Sequence, residues 1–122
     1  MFYEPKKGHP FKIDPYKALI FPRPIGWISS VSKNGVANVA PYSYFNAIAD
    51  EPPQVMFCSN GESSYGGYKD SLTNILSTKE FVVNFATKNT RDAMNISSSN
   101  YKPNEDEFVA AKLKKRKSKL VK

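Results

Sequence analysis

RPIGWISSVSKNGVANVAPYSYFN, residues 23–46, reads as two strands joined by a tight turn. Ile25 to Ser32 carries β-branched and aromatic residues. Lys33-Asn34-Gly35 supplies the turn, because Asn-Gly tolerates the positive φ values that a two-residue hairpin demands. Val36, Val39 and the aromatic pair Tyr44-Phe45 resume the strand. Ala40-Pro41-Tyr42-Ser43 interrupts that pattern, since proline cannot donate to a ladder. Two readings of the interruption stay open: an edge strand with a proline-marked bend, or a place where backbone groups turn toward a ligand.

Outward from this hairpin the chain alternates short elements with loops. Met1 to Pro10 is an irregular arm. Asp14 caps one short helical turn through Leu19, with Pro15 at the first position. Phe21 to Pro24 is extended, because residues before proline avoid the α region. Ala47 to Pro53 reads as a loop, Gln54 to Cys58 as a short strand, and Ser59 to Gly67 as a glycine- and serine-rich loop. Asp70 or Ser71 starts a helix that runs to about Ser77 with Leu72, Ile75 and Leu76 on one face, Asp70 being assigned to capping. Glu80 to Ala86 is a strand, and Thr90 caps a second short helix through Ile96. A turn falls near Glu105. No internal repeat is visible, and the proportions suit a mainly β chain, a barrel with a few short helices covering it.

A chain of 122 residues with 40% hydrophobic and 13% aromatic side chains is expected to form one globular domain. No apolar run approaches the roughly 20 residues of a membrane span, and the start MFYEPKKGHP has no signal-peptide core. Cys58 is the only cysteine, so no internal disulfide forms and the reducing cytoplasm is the simplest location. The net charge of +7 is concentrated: seven of the 18 basic residues lie in 112–122, which contains no acid. Residues 1–111 therefore balance eleven bases against eleven acids and form the expected domain body, with 112–122 as a basic tail. Such a tail can bind phosphate backbones, but with no basic patch on the body to extend it, the solvated reading is preferred over nucleic acid.

The run PRPIGWISSVSKNGVANVAPYSYFNAIADEPPQVMF, followed by KDSLTNI and EFVVNF, resembles the flavin reductase-like FMN-binding split-barrel family, flavoredoxin type. The motifs come in the family's order from about Tyr16 to Phe108. The resemblance implies an FMN-binding split barrel, a homodimer with the flavin at its interface, and NAD(P)H as electron donor. It also implies that the chain stops short of the strands that complete the barrel. The missing strands would come from another chain, or the piece would fold incompletely.

A flavin needs partners for its phosphate, its ribityl hydroxyls and its ring. Helix starts suit phosphates because free amides point outward and the dipole favours negative charge. Lys69-Asp70-Ser71 fits, with the Lys69 ammonium and Ser71 hydroxyl as added donors and Asp70 kept for capping; an ordinary capped amphipathic helix is the competing reading. Asn74 follows on the same helix. The ring slot is assigned to Asn38, Ala40, Pro41, Tyr42, Ser43, Tyr44 and Asn46, of which Asn46 reads equally well as a strand-ending turn residue. Tyr44 and Phe45 point oppositely, so at most one faces a ligand. Cys58, Ser59 and Asn60 form another wall, with Cys58 a small buried residue. Arg23 neutralises the phosphate or a flavin carbonyl, or else makes a surface ion pair. His9 and Cys58 offer neither a nucleophilic pair nor a metal site, and no protein catalytic residue is expected. No GxGxxG follows a strand, so a nicotinamide would meet an exposed flavin face without a dinucleotide domain. An electron carrier without nicotinamide activity, and a domain fragment acting only through its tail, remain as alternatives.

Overall fold

Trp27 and Ile28 sit at the centre of the molecule because their strand is covered on both edges and both faces. The computed structural model describes residues 2–103 and 105–121. In it β1 (Gly26–Val31) pairs antiparallel with β2 (Ala37–Tyr42), Gly26 opposite Tyr42 and Val31 opposite Ala37. On its other edge β1 pairs antiparallel with β5 (Val82–Asn84), Ile28 opposite Val83, giving the order β2-β1-β5. A separate antiparallel hairpin joins β3 (Phe45–Asp50) to β4 (Pro53–Phe57), with an irregularity between Ala47 and Ala49. No closed barrel is present among the described residues.

The β1–β2 turn differs from the two-residue form expected. Ser32 N–H donates to Val36 O at 2.8 Å and Gly35 N–H to Ser32 O at 3.0 Å, leaving a three-residue loop. Only Gly35, at φ 81°, enters the left-handed region. A turn followed by a left-handed glycine keeps the strand twist with one positive φ instead of two. Ala40–Tyr42 belongs to an edge strand, as one of the two readings has it, although the bend is not at the proline. β2 is an outer strand, continues through Pro41 opposite Trp27, and bends only at Ser43–Tyr44.

Other boundaries moved for tertiary reasons. Residues 47–50, expected as loop, are strand because β4 offers a pairing edge that overrides the weak strand preference of alanine. β5 is shorter than the expected 80–86. Helix α1 (Pro15–Leu19) begins as expected, Asp14 Oδ1 accepting from Tyr16 N–H at 3.0 Å. Helix α2 (Asp70–Thr78) starts at the first of the two residues expected, but Asp70 is not its cap: Lys69 occupies the cap position without a side-chain hydrogen bond. Its buried side chains are Ser71 and Asn74, whereas Leu76 is exposed. The sheet surface beneath it carries Ser30 and Asn38, so the polar side of α2 turns inward. Thr90 bonds back to Thr87, its Oγ1 accepting from Thr87 N–H at 2.8 Å, and makes no cap to α3 (Arg91–Ile96). A short helix the sequence reading missed, α4 (Glu107–Ala110), is capped by Asp106, whose Oδ1 accepts from Phe108 N–H at 3.0 Å.

The core is small: Trp27, Ile28, Val39, Tyr42 and Ala111 are its buried hydrophobic residues. Tyr42 and Phe57 meet with ring centroids 4.8 Å apart, and Phe57 meets Phe81 at 5.4 Å, tying the two sheets together. Phe45 closes on β1 where Gly26 has no side chain to oppose it. Residues 112–121 form neither helix nor strand; Leu113 N–H donates to Phe108 O at 2.7 Å and Lys115 pairs with Asp106. No helix among the described residues is long and apolar enough to cross a membrane.

Candidate functional site

The outer strand β2 and the start of α2 face each other across a cleft of about 130 Å³. Asn38, Ala40, Pro41 and Tyr42 line it from the strand, and Lys69, Asp70 and Ser71 from the helix start. All seven were named from sequence. The rest of the lining comes from residues the sequence reading passed over: 62–65, the run 97–101, and Glu107. Hydroxyls crowd both loops, and the serine run 97–99 was the available signal.

Free donors gather at the helix start. No hydrogen bond engages the amides of Asp70, Ser71 and Leu72 among the described residues, because a helix leaves its first amides unpaired and no side chain caps this one. Lys69 stands beside them and makes no ion pair among the described residues. Asp70 brings an opposing charge, and burial pushes its carboxyl above the ordinary range.

Beneath the cleft lies a buried polar network. Ser71 Oγ donates to Asn38 Oδ1 at 2.6 Å, and Asn38 Nδ2 donates to Glu107 Oε1 at 2.6 Å. Val39 N–H reaches Glu107 Oε2 at 3.4 Å, and Asn74 Nδ2 donates to Ser30 Oγ at 3.2 Å. Burial raises the Glu107 carboxyl above its ordinary value, while hydrogen bonds from Val39 and Asn38 act the other way. This corrects two expectations. The Ser71 hydroxyl proton is committed to Asn38 and is not offered to a phosphate. Asn74 lies in the network and not in the cleft lining, because its side-chain amide is turned to Ser30 on β1. Burial also raises the Tyr42 phenol, against the nearby Ser71 and Ser59 hydroxyls. The Ser59 oxygen is buried and approaches Tyr42 without a hydrogen bond of good geometry.

The remaining predicted residues lie outside the cleft lining. Arg23 sets its guanidinium 5.3 Å from the centroid of the Tyr44 ring, which also stacks with Tyr16 at 6.3 Å. It makes no surface ion pair among the described residues. Ser43 is half-buried at the bend after β2. Asn46 and Asn60 are exposed. Cys58, expected to be buried, is exposed: it lies just past β4, held by its N–H to Tyr44 O at 2.9 Å, where no third strand covers it among the described residues. Trp27 Nε1 donates to Ser97 Oγ at 3.0 Å and so fixes the serine run against β1.

The family model for the flavin reductase like domain matches residues 18–121. The chain belongs to the flavin reductase-like family. An uncharacterised Aquifex aeolicus protein is 42% identical over 104 residues, 85% of this chain and 53% of that protein. Nitrilotriacetate monooxygenase component B from Bacillus cereus is 35% identical with a TM-score of 0.84, over 99% of this chain and 59% of that one. The flavoredoxin of Desulfovibrio vulgaris, at 13% identity and TM-score 0.70, covers 83% of this chain and 52% of its own and shows the shared fold alone. This flavin reductase-like chain thus spans about half the length of the relatives it matches. The family is one of flavin-related oxidoreductases, and its split-barrel relatives share the sheet arrangement described here.

The residues present fit one end of a flavin mononucleotide. Three unengaged amides and a lysine suit a phosphate, and Ala40 and Pro41 leave room for close approach to the strand. Ligand pockets for whole cofactors occupy roughly 300–1,000 Å³. At about 130 Å³ the cleft has room for a phosphate-sized group and is too small for a whole cofactor.

Proposed function

We propose that this chain binds FMN and serves a flavin reductase-like oxidoreductase that passes hydride from NAD(P)H to the flavin and onward to an acceptor. The observation that carries this reading is the uncapped start of α2, with Lys69 beside it, opening into the cleft under Ala40–Tyr42. When bound, FMN supplies the redox chemistry itself. The chain's own task is to hold and orient it. The amides of Asp70, Ser71 and Leu72 and the Lys69 ammonium take the phosphate. Asn38, Ala40, Pro41, Tyr42 and Ser43 shape the strand side, with Arg23, Tyr44, Asn46, Cys58, Ser59 and Asn60 bordering it. Because the cleft is too small for a whole cofactor, we assign the rest of the flavin to the surface outside it, covered by a second copy in a homodimer. The unpaired thiol accords with a cytoplasmic setting.

A visible absorption spectrum of the purified protein, before and after reconstitution with FMN and removal of the excess, tests this reading. Bound flavin bands with steady NADH or NADPH oxidation support it. Bound flavin without nicotinamide oxidation replaces it with an electron carrier. No retained flavin refutes it for this chain.

A further inference from the structure

We infer that Glu107 is a positioning residue whose carboxylate sets the direction of the hydrogen-bond chain Glu107–Asn38–Ser71, and thereby makes Ser71 a hydrogen-bond acceptor toward the ligand. The identity of that ligand rests on the flavin reading above; the direction of the chain does not.

Glu107 opens α4 and is only 4% exposed. Both of its oxygens face N–H groups, Asn38 Nδ2 at 2.6 Å and Val39 N at 3.4 Å. A protonated carboxyl would need an acceptor where both partners are donors, so the carboxylate matches its surroundings. An acceptor-only group at this point admits one orientation of the Asn38 amide, nitrogen toward Glu107 and oxygen away. That oxygen meets Ser71 Oγ at 2.6 Å and Ser30 Oγ at 3.5 Å. Carrying no proton, Asn38 Oδ1 requires Ser71 to donate, and a hydroxyl has a single proton to give. Ser71, only 1% exposed at the floor of the cleft with the Tyr42 phenol beside it, is left with lone pairs only.

A phosphate oxygen accepts and cannot satisfy those lone pairs, whereas a sugar-chain hydroxyl donates and can. Ser71 therefore selects a ribityl hydroxyl, and the phosphate falls to the free amides and Lys69. The buried carboxylate, at the edge of the cleft lining, enforces this polarity through Asn38.

The test compares FMN with lumiflavin, which has the ring but no ribityl hydroxyls, by flavin fluorescence titration. Glu107→Gln removes the obligate acceptor, so the Asn38 amide can turn over and release the Ser71 proton toward the cleft. FMN affinity is expected to fall about tenfold, the effect of one lost hydrogen bond, with lumiflavin affinity unchanged. The double variant Glu107→Gln/Asn38→Asp reverses the pair, returns an acceptor to Ser71, and is expected to restore FMN affinity to within about threefold of wild type. Equal weakening of both ligands in Glu107→Gln, unchanged FMN affinity, or no recovery in the double variant overturns the inference. If wild-type protein takes up no flavin at all, the flavin reading fails by itself. The direction is then read from the side-chain amide protons of Asn38 by ¹H–¹⁵N NMR, which must shift in Glu107→Gln; unmoved signals overturn it.

Discussion

Replacing Gly26 by alanine probes the closest approach between the two sheets. A Cβ at this position would lie 2.7 Å from Phe45 Cγ and 3.0 Å from Cε2, and closer still to Cδ2. Three ring carbons inside van der Waals contact cannot be relieved by a small rotation, because Gly26 is buried and Phe45 is anchored opposite Phe57 at the start of β3. Overpacking of this kind costs about 1–3 kcal/mol. For a chain of this length each kcal/mol lowers the thermal midpoint by roughly 3–6 °C, so Gly26→Ala is expected to melt roughly 3–18 °C below wild type. The diagnostic assay is a double-mutant cycle followed by circular dichroism. In a Phe45→Ala background the obstructing ring is gone, and alanine should be no worse than glycine in a strand. The coupling between the two substitutions should then be about 1–3 kcal/mol in the favourable direction. An equal cost for Gly26→Ala in both backgrounds would refute the reasoning, since it would place the penalty outside the Phe45 contact.

Three further outcomes follow from the same geometry. Ser97→Ala leaves the Trp27 indole N–H buried without its acceptor and should destabilise by about 1–3 kcal/mol in chemical denaturation, against near-neutral behaviour of exposed Ser98→Ala. Glu107 has its carboxyl raised by burial, so the folded state holds the proton more tightly than the unfolded chain. Its contribution is present in full below the ordinary value of 4.5 and is lost as pH rises through the raised one. Thermal midpoints should therefore decline as pH climbs above about 4.5, and Glu107→Gln should flatten that decline; superimposable profiles would exclude Glu107 as the cause. Half-exposed Asp70 acts in the same direction but is screened by solvent. Lys69→Ala should weaken FMN about tenfold while leaving riboflavin, which lacks the phosphate, nearly unaffected in equilibrium titration; equal losses would remove Lys69 from the phosphate site.

The buried Glu107 illustrates a conflict between stability and function. Its carboxylate costs folding free energy that an apolar side chain would not, yet it fixes the polarity of the residues beneath the cleft.

Local chemistry made the strands legible. The apolar and β-branched run of β1, the glycine in the following turn and the Asp14-Pro15 helix start are decided by residues close in sequence, and the structure has them where they were read. The motif order likewise points to the flavin reductase-like family. What sequence could not give was which side of each element would be covered. The apolar stripe of α2 suggested the packed face, but Ser30 and Asn38 on the sheet turned Ser71 and Asn74 inward instead. Ala47–Ala49 became strand only because β4 lay beside it, and the exposure of Cys58 was set by its place just past β4. Glu107 carried no signal at all, since its role depends on Asn38, 69 positions earlier in the chain. Sequence by itself thus determined most of the elements, the family and seven of the seventeen residues lining the cleft, because propensity, turn chemistry and motif spacing are local. Tertiary structure alone decided which polar groups met and which way their hydrogen bonds ran, because a donor finds its acceptor through space and not along the chain.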